Sequence, residues 1–357
     1  KCGNELLRNI EKSMVYNIKQ HNDLKDDIVL EQYFRLPWKI IRSDYGVKIE
    51  EHHAENSLAY LSNFPVKTIE DIGRLKERTF NVDRKATTEL KEKLEFIFGD
   101  ILPVRVGNYD NFFPDMGFTP FTGNNFVGLT MDLFKLIGDE NMMLWPYDHP
   151  DELHGLMSYL RDDRLRFYKW LSDEGLLDFN TDNQFGGPSS YGYVSDLPSG
   201  GQKPQAELKD CWVWPESQET STVSPAMFDE FYLKYIAEVS NMFGLSYYGC
   251  CEPVDDRIEY IKKAIPNLRT VSISGWNDFR KIGEALGTDY VHCKKPNPAF
   301  ISGAAADWES ARKDLQDSFD ACPGGNMEIV VRDVYDINGD MKRLPAWVKM
   351  AKEVAGI

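Results

Sequence analysis

The densest run of reactive side chains in the sequence is Tyr247-Tyr248-Gly249-Cys250-Cys251-Glu252-Pro253, which closes the short apolar run Phe243-Gly244-Leu245. Soft thiolates and a carboxylate together can hold zinc, so two adjacent thiols and an acid at the end of an expected strand are candidate ligands. The same residues also suit a plainer role, with both cysteines packed as small apolar side chains and Glu252 capping the next helix. By the two-residue period of a strand, Tyr248, Cys250 and Glu252 share one face and Cys251 takes the other.

Polar and aromatic residues gather at three further expected strand ends. These are Asp182-Asn183-Gln184-Phe185-Gly186-Gly187, Ser274-Gly275-Trp276-Asn277 and His292-Cys293-Lys294-Lys295-Pro296-Asn297-Pro298. A concave pocket lined by Tyr, Trp and a few convergent polar groups suits a small, flat or aromatic substrate. His292 and Cys293 alternate, so only one can face such a pocket while the strand continues; Cys293 suits a core position equally well. Lys295 and Asn297 either line the pocket or shape a proline-bounded loop. The stretch Trp212-Val213-Trp214-Pro215-Glu216-Ser217-Gln218-Glu219-Thr220 is too polar and aromatic for a plain linker. Its alternative is a solvated lid whose Ser and Thr residues cap the helix beginning near 225. Cys322, in a Pro-Gly-Gly loop, reads as structural, and His52, His53 and His149 as solvated.

A repeating frame has to hold these ends. In the last third of the chain, helical patterns at 225–242, 255–264, 277–286 and 307–319 alternate with apolar runs at 245–251, 270–274, 290–293 and 327–331. That rhythm predicts a parallel sheet with helical crossovers. No G-x-G-x-x-G or P-loop stands at a strand–helix junction, so a dinucleotide-binding fold loses ground, and the count of units favours a (β/α)8 TIM barrel, whose site lies where the strands end. Further strands are expected at 47–49, 101–106 and 176–180, with helices over 4–20, 84–98 and 151–173 and one opened by Thr68 as N-cap. The domain reading is an N-terminal helical/β extension over 1–75, packed on a barrel domain over 76–357.

Composition narrows the function classes. A charged fraction of 27% in 357 residues is that of a globular enzyme rather than a disordered chain. A net charge of −16 leaves no basic patch for nucleic acid or an anionic membrane. No apolar run is long enough to span a bilayer, and no secretory leader is read, although the sequence begins at Lys1 rather than methionine. The six cysteines lack the spacing of a disulfide framework, so a reducing cytoplasm is expected.

The sequence resembles the uroporphyrinogen decarboxylase superfamily, in the branch of corrinoid and coenzyme M methyltransferases and O-demethylase methyltransferases. The resemblance runs from about residue 40 to the end. It is carried by Ser43-Asp44-Tyr45-Gly46-Val47, Phe64-Pro65-Val66-Lys67-Thr68-Ile69-Glu70-Asp71, Trp214-Pro215-Glu216-Ser217-Gln218-Glu219-Thr220 and Ser224-Pro225. Further on it rests on Phe243 to Pro253, Lys295-Pro296-Asn297-Pro298-Ala299, Met327-Glu328-Ile329-Val330-Val331-Arg332-Asp333 and Arg343-Leu344-Pro345-Ala346-Trp347.

The resemblance implies a distorted TIM barrel with its pocket at the strand carboxyl ends. It does not imply uroporphyrinogen decarboxylation: the Arg-Gln-Ala-Gly-Arg segment that holds that substrate's carboxylates is absent, and a −16 chain repels a polyanion. The methyltransferase branch carries zinc on a His-x-Cys pair with a distant Cys. Here the corresponding strand offers Tyr248-x-Cys250 or Cys250-x-Glu252, with Cys293 as distant partner and no histidine. The implied activity is zinc-dependent transfer of a methyl group from a small methylated substrate, a methoxyaromatic being one such donor beside an amine or a thioether, to a corrinoid on a separate carrier protein. Cys250, Cys251, Glu252 and Cys293 are then the ligand candidates. Tyr248, Trp276 and Asn183 line the pocket, with Lys295 and Asn297 beside them as substrate-binding candidates. Glu216 and Glu219 orient the site or protonate the departing oxygen, and Tyr248 joins them as a catalytic candidate. Two other classes remain. One is a metal-independent decarboxylase or lyase of a small acid, in which Lys295 or Arg105 holds the carboxylate; the other is a non-catalytic binding barrel.

Overall fold

A computed structural model describes residues 4–53, 60–108, 125–198, 200–201 and 203–357. The chain is of mixed α/β class, and its central feature is a five-stranded parallel sheet. Its strands are β3 (Trp212–Val213), β4 (Leu245–Tyr248), β5 (Leu268–Ile273), β6 (Val291–Lys294) and β7 (Asn326–Ile329), lying side by side in chain order. A doubly wound sheet reverses its order at a switch point; these five strands do not. Beyond β3, Phe126 bridges to Trp214, again in parallel. A second parallel pair joins β1 (Phe34–Pro37) to β2 (Val104–Gly107), and Ile40–Arg42 runs antiparallel to Phe80–Val82. Both pairings link residues before 75 with residues after it.

The strands read as they do because sheets covered on both faces carry near-continuous apolar runs. Every residue of β4 is buried, and all but one of β5. Helices Ile258–Ala264, Phe279–Leu286 and Trp308–Ala321 return the chain between successive strands. Local capping sets where they begin: Asp278 accepts from the amides of Arg280 and Lys281, and Asp307 from that of Ser310. Ser224 caps the helix opened by Pro225, which passes through a π turn at Asp229–Leu233 before ending at Ser240. Helices Leu129–Asp148 and Pro150–Asp173 bury Leu133, Leu153, Leu160 and Phe167 against the main core. Thr68, the expected N-cap, forms a capping box with Asp71 at the start of a short 3-10 helix Ile69–Arg74. No helix among the described residues is long and apolar enough to cross a membrane.

Two sequence expectations fail for identifiable reasons. Leu176–Asn180 is not a laddered strand, and neither is 47–49. In the first case a side chain replaces the ladder. The Asn180 amide accepts from Trp212 N at 2.7 Å and donates to Trp212 O at 3.0 Å, satisfying the groups a neighbouring backbone would have paired. At 44–46 the Asp44 carboxylate takes Gly46 N at 2.8 Å, closing a turn that extends past the expected strand start.

The two-residue alternation also breaks at the end of β4. Tyr248 packs in the main core with Val271 and Ile273, whereas Cys250 packs with Tyr247 and Cys293 in a second cluster built around strands and loops. Tyr248 and Cys250 therefore do not share a face. Between them Gly249 adopts φ +98°, which ends the pleat and resets its parity.

Candidate active site

Parallel strands bring all their carboxyl ends to one edge of a sheet, where α/β proteins place their ligands. In this chain Cys251 follows β4, Ser274 to Trp276 follow β5, Lys295 to Pro298 follow β6, and Arg332 and Asp333 follow β7. Together they line a cleft of about 210 Å³. Trp276 stands at its rim with 76% of its surface exposed, and Asn297 lines it while its side-chain oxygen accepts from Ala299 N.

The turn that presents the thiols is tightly held. Gly249 N donates to Pro215 O at 2.9 Å, and Gly249 O accepts from Trp214 Nε1 at 3.0 Å. The carbonyl of Cys250 accepts both Lys295 Nζ and Ser272 Oγ at 2.6 Å. The two sulfurs lie 3.6 Å apart, and Arg332 Nη1 is 3.7 Å from Cys250 Sγ. A proton shared between the sulfurs, with Lys295 and Arg332 beside them, pushes the Cys251 thiol down to about 7 despite its partial burial. Cys250, which keeps that proton and is the more buried, is pushed up.

Behind this turn lies a group of buried acids. Glu252 Oε1 accepts the amide of Ser217 at 3.1 Å, and Oε2 that of Cys250 at 2.8 Å. Glu216 accepts Thr130 Oγ1 at 3.3 Å and Gln218 N at 2.8 Å, while Glu219 accepts the same threonine hydroxyl at 2.8 Å. Burial, reinforced by Glu219 and Glu252, holds Glu216 well above the ordinary carboxyl range; burial raises Glu219 as well. Tyr248 bonds Ser217 Oγ at 2.7 Å and is likewise pushed up by burial.

Cys251, Trp276, Lys295 and Asn297 thus meet at one cleft. Cys250 backs it, and Glu216, Glu219, Glu252 and Tyr248 form the layer behind. Asn183 lies apart from the residues lining the cleft: its Nδ2 donates to Val29 O at 2.7 Å, next to Asp182, which accepts Tyr33 OH. Cys293 is wholly buried, takes Tyr247 OH at 3.3 Å, and is pushed up to about 12 by burial and the nearby Glu328. His292 points the other way, to Gly287 O and Cys322 Sγ, as alternation requires. Arg105 is paired with Asp178 at 2.7 Å on β2.

Tetrahedral zinc with two thiolates at about 2.3 Å sets the sulfurs about 3.8 Å apart, so the 3.6 Å thiol pair has the spacing of two ligands. The other candidates are engaged elsewhere, Glu252 with two backbone amides and Cys293 with Tyr247. Among the described residues no three His, Cys, Asp or Glu side chains are grouped to hold a metal ion. As arranged, the side chains do not fit a zinc site.

Arg332, Asp333 and Thr130 were not anticipated as site residues. Arg332 and Asp333 lie three and four residues past Ile329, where β7 ends, the same offset rule that exposed the other three ends. Asp333 also carries a left-handed backbone, φ +60°, a conformation that concentrates at functional positions. Thr130 gave no signal, because its partners are 86 and 89 residues away. No protein-family model and no curated protein matches the chain.

Proposed function

We propose that the chain is a methyltransferase that takes a methyl group from a small methylated molecule, such as a methoxyaromatic, and delivers it to a corrinoid held by a separate carrier protein. We further propose that its parallel strands belong to a distorted (β/α)8 barrel. The five strands in chain order, the parallel bridge at Phe126 and the β1–β2 pair support the barrel reading.

One observation carries the activity: a small cleft at the carboxyl ends of four adjacent strands is backed by two buried carboxyls, both raised above the ordinary carboxyl range by burial. Methyl transfer from oxygen or nitrogen needs a proton for the departing atom. Glu216 and Glu219, whose carboxyls burial pushes up from the ordinary range, are the groups placed to supply it. Trp276, Pro296 and Pro298 give flat walls for an aromatic ring, and Lys295 and Asn297 supply polar contacts. The corrinoid supplies the nucleophile, and the exposed face of Trp276 at the rim suits the approach of a planar macrocycle. The protein's own contribution is to orient the methyl group outward and keep water from its other side.

The test is anaerobic incubation with cob(I)alamin and a panel of methoxyaromatics, methylamines and methyl thioethers, with and without added zinc. Methylcobalamin from at least one donor, lost in Glu219→Gln, supports the reading. No methylcobalamin from any donor in either condition sinks it. A second reading, a metal-independent decarboxylase or lyase of a small acid, is favoured by the Lys295 ammonium in the cleft. Release of carbon dioxide from small carboxylic acids, without methyl transfer, decides for it.

A further inference from the structure

We infer that Lys295 and Arg332 form an anion subsite that holds the carboxylate of a small organic acid beside Cys251. This rests on the cleft being the substrate site and holds whichever of the two reactions follows.

Lys295 is 5% exposed, and burying an ammonium is costly unless it is compensated. It offers three donors; its hydrogen bond is to the carbonyl of Cys250, with the Tyr247 ring 5.9 Å away. Arg332 offers five donors in a planar fork, and its contact is the 3.7 Å approach to Cys250 Sγ. Among the described residues neither cation forms an ion pair with a carboxylate, in a chain carrying 57 acidic against 41 basic residues. The nearby acids are turned to other partners: Glu252 to two backbone amides, Glu328 to Ser190 Oγ at 2.6 Å, and Asp333 to the hydroxyl of Tyr335 at 3.3 Å. Two cations in one cleft with donors to spare are therefore matched to a negative charge brought by the ligand.

The shape selects among anions. The cleft is smaller than the roughly 300–1,000 Å³ of drug-sized pockets, and Trp276, Pro296 and Pro298 give it an apolar wall. An arginine fork matches a carboxylate bidentately. A monocarboxylate on a small flat body uses both features, whereas inorganic phosphate uses only the first.

Two measurements on the full chain test this without knowledge of the reaction. In the first, calorimetric titration compares benzoate with its neutral isostere benzamide and with inorganic phosphate. Benzoate is expected to bind more tightly than either by about tenfold or more, and to lose that margin in Arg332→Gln and in Lys295→Met. Equal binding of benzoate and benzamide, no benzoate binding, or tighter binding of phosphate would overturn the inference. In the second, iodoacetate and iodoacetamide alkylate the thiol that disappears in Cys251→Ala. Relative to free cysteine, the anionic reagent is expected to be favoured in the wild type, with benzoate protecting, and the preference is expected to vanish in Arg332→Gln. No preference in the wild type counts against the subsite. Arg332 is half-buried, so Arg332→Gln keeps the test usable if Lys295→Met fails to fold. Failure of the methyl-transfer assay leaves both results standing.

Discussion

The carboxylate of Glu252 accepts the backbone amide of Ser217 at 3.1 Å while its other oxygen takes the amide of Cys250 at 2.8 Å. One buried acid thus fastens the segment after β3 to the turn that presents the thiols. A carboxylate is acceptor-only, which suits two converging N–H groups. In Glu252→Gln one of them meets an N–H donor instead. The expected cost is about 1–3 kcal/mol, read from urea midpoints. An unchanged midpoint would mean that the two amides find other acceptors.

Glu216 sets a pH dependence. Its folded-state carboxyl lies well above the ordinary 4.5, so above that value the folded chain holds a proton that the unfolded chain has lost. Stability from this group is present below about 4.5 and is lost as pH rises through the folded value. Glu216→Gln mimics the protonated form and keeps an acceptor for Gln218 N. We expect it to unfold at higher urea than the wild type near neutral pH, and the gap to close toward about pH 4.5. Urea midpoints taken across that range check the sign; a less stable variant at neutral pH would contradict it.

The thiol pair makes a kinetic prediction. Cys251 sits at about 7 chiefly because Cys250 shares its proton, with Lys295 and Arg332 helping. Its alkylation by iodoacetamide should reach half its maximal rate near pH 7. In Cys250→Ala the partner proton is gone, and the profile should move to higher pH. A profile that stays in place would assign the depression to the two cations alone.

The frame was legible where period and caps agree. The helix expected over 84–98 is Arg84–Phe98, with Asp83 capping it, and the last four helix–strand alternations all appear. What the sequence hid were substitutions of one bonding group for another. Asn180 uses its side chain as a strand would use its backbone, so Leu176–Asn180 has the pattern of a strand without the ladder. In the site, Trp276, Lys295 and Asn297 were found because loops after parallel strands collect on one edge. Asn183 follows the same rule in sequence, yet its amide is drawn to Val29 O. Arg332 passed as a residue beyond a strand, since nothing local shows that it turns back toward Cys250.

Gly249 is where strand parity resets, and its substitution tests how much the thiol turn depends on that. At φ +98° any side chain is strained, and a Cβ there would stand 3.1 Å from Ser272 Cβ, whose hydroxyl holds the Cys250 carbonyl. Gly356 offers the comparison: it is also left-handed, φ +78°, but a Cβ there meets nothing within 4 Å. Gly356→Ala should cost about 1 kcal/mol from backbone strain alone. Gly249→Ala should cost more, about 1–3 kcal/mol for strain plus the displaced Ser272. The decisive readout is chemical. If Ser272 is pushed off the Cys250 carbonyl, the sulfurs lose their 3.6 Å approach and Cys251 alkylation at neutral pH slows. Gly356→Ala should leave that rate unchanged. Equal stability losses with unchanged alkylation in both variants would show that the turn tolerates a side chain and that the thiol pair is set elsewhere.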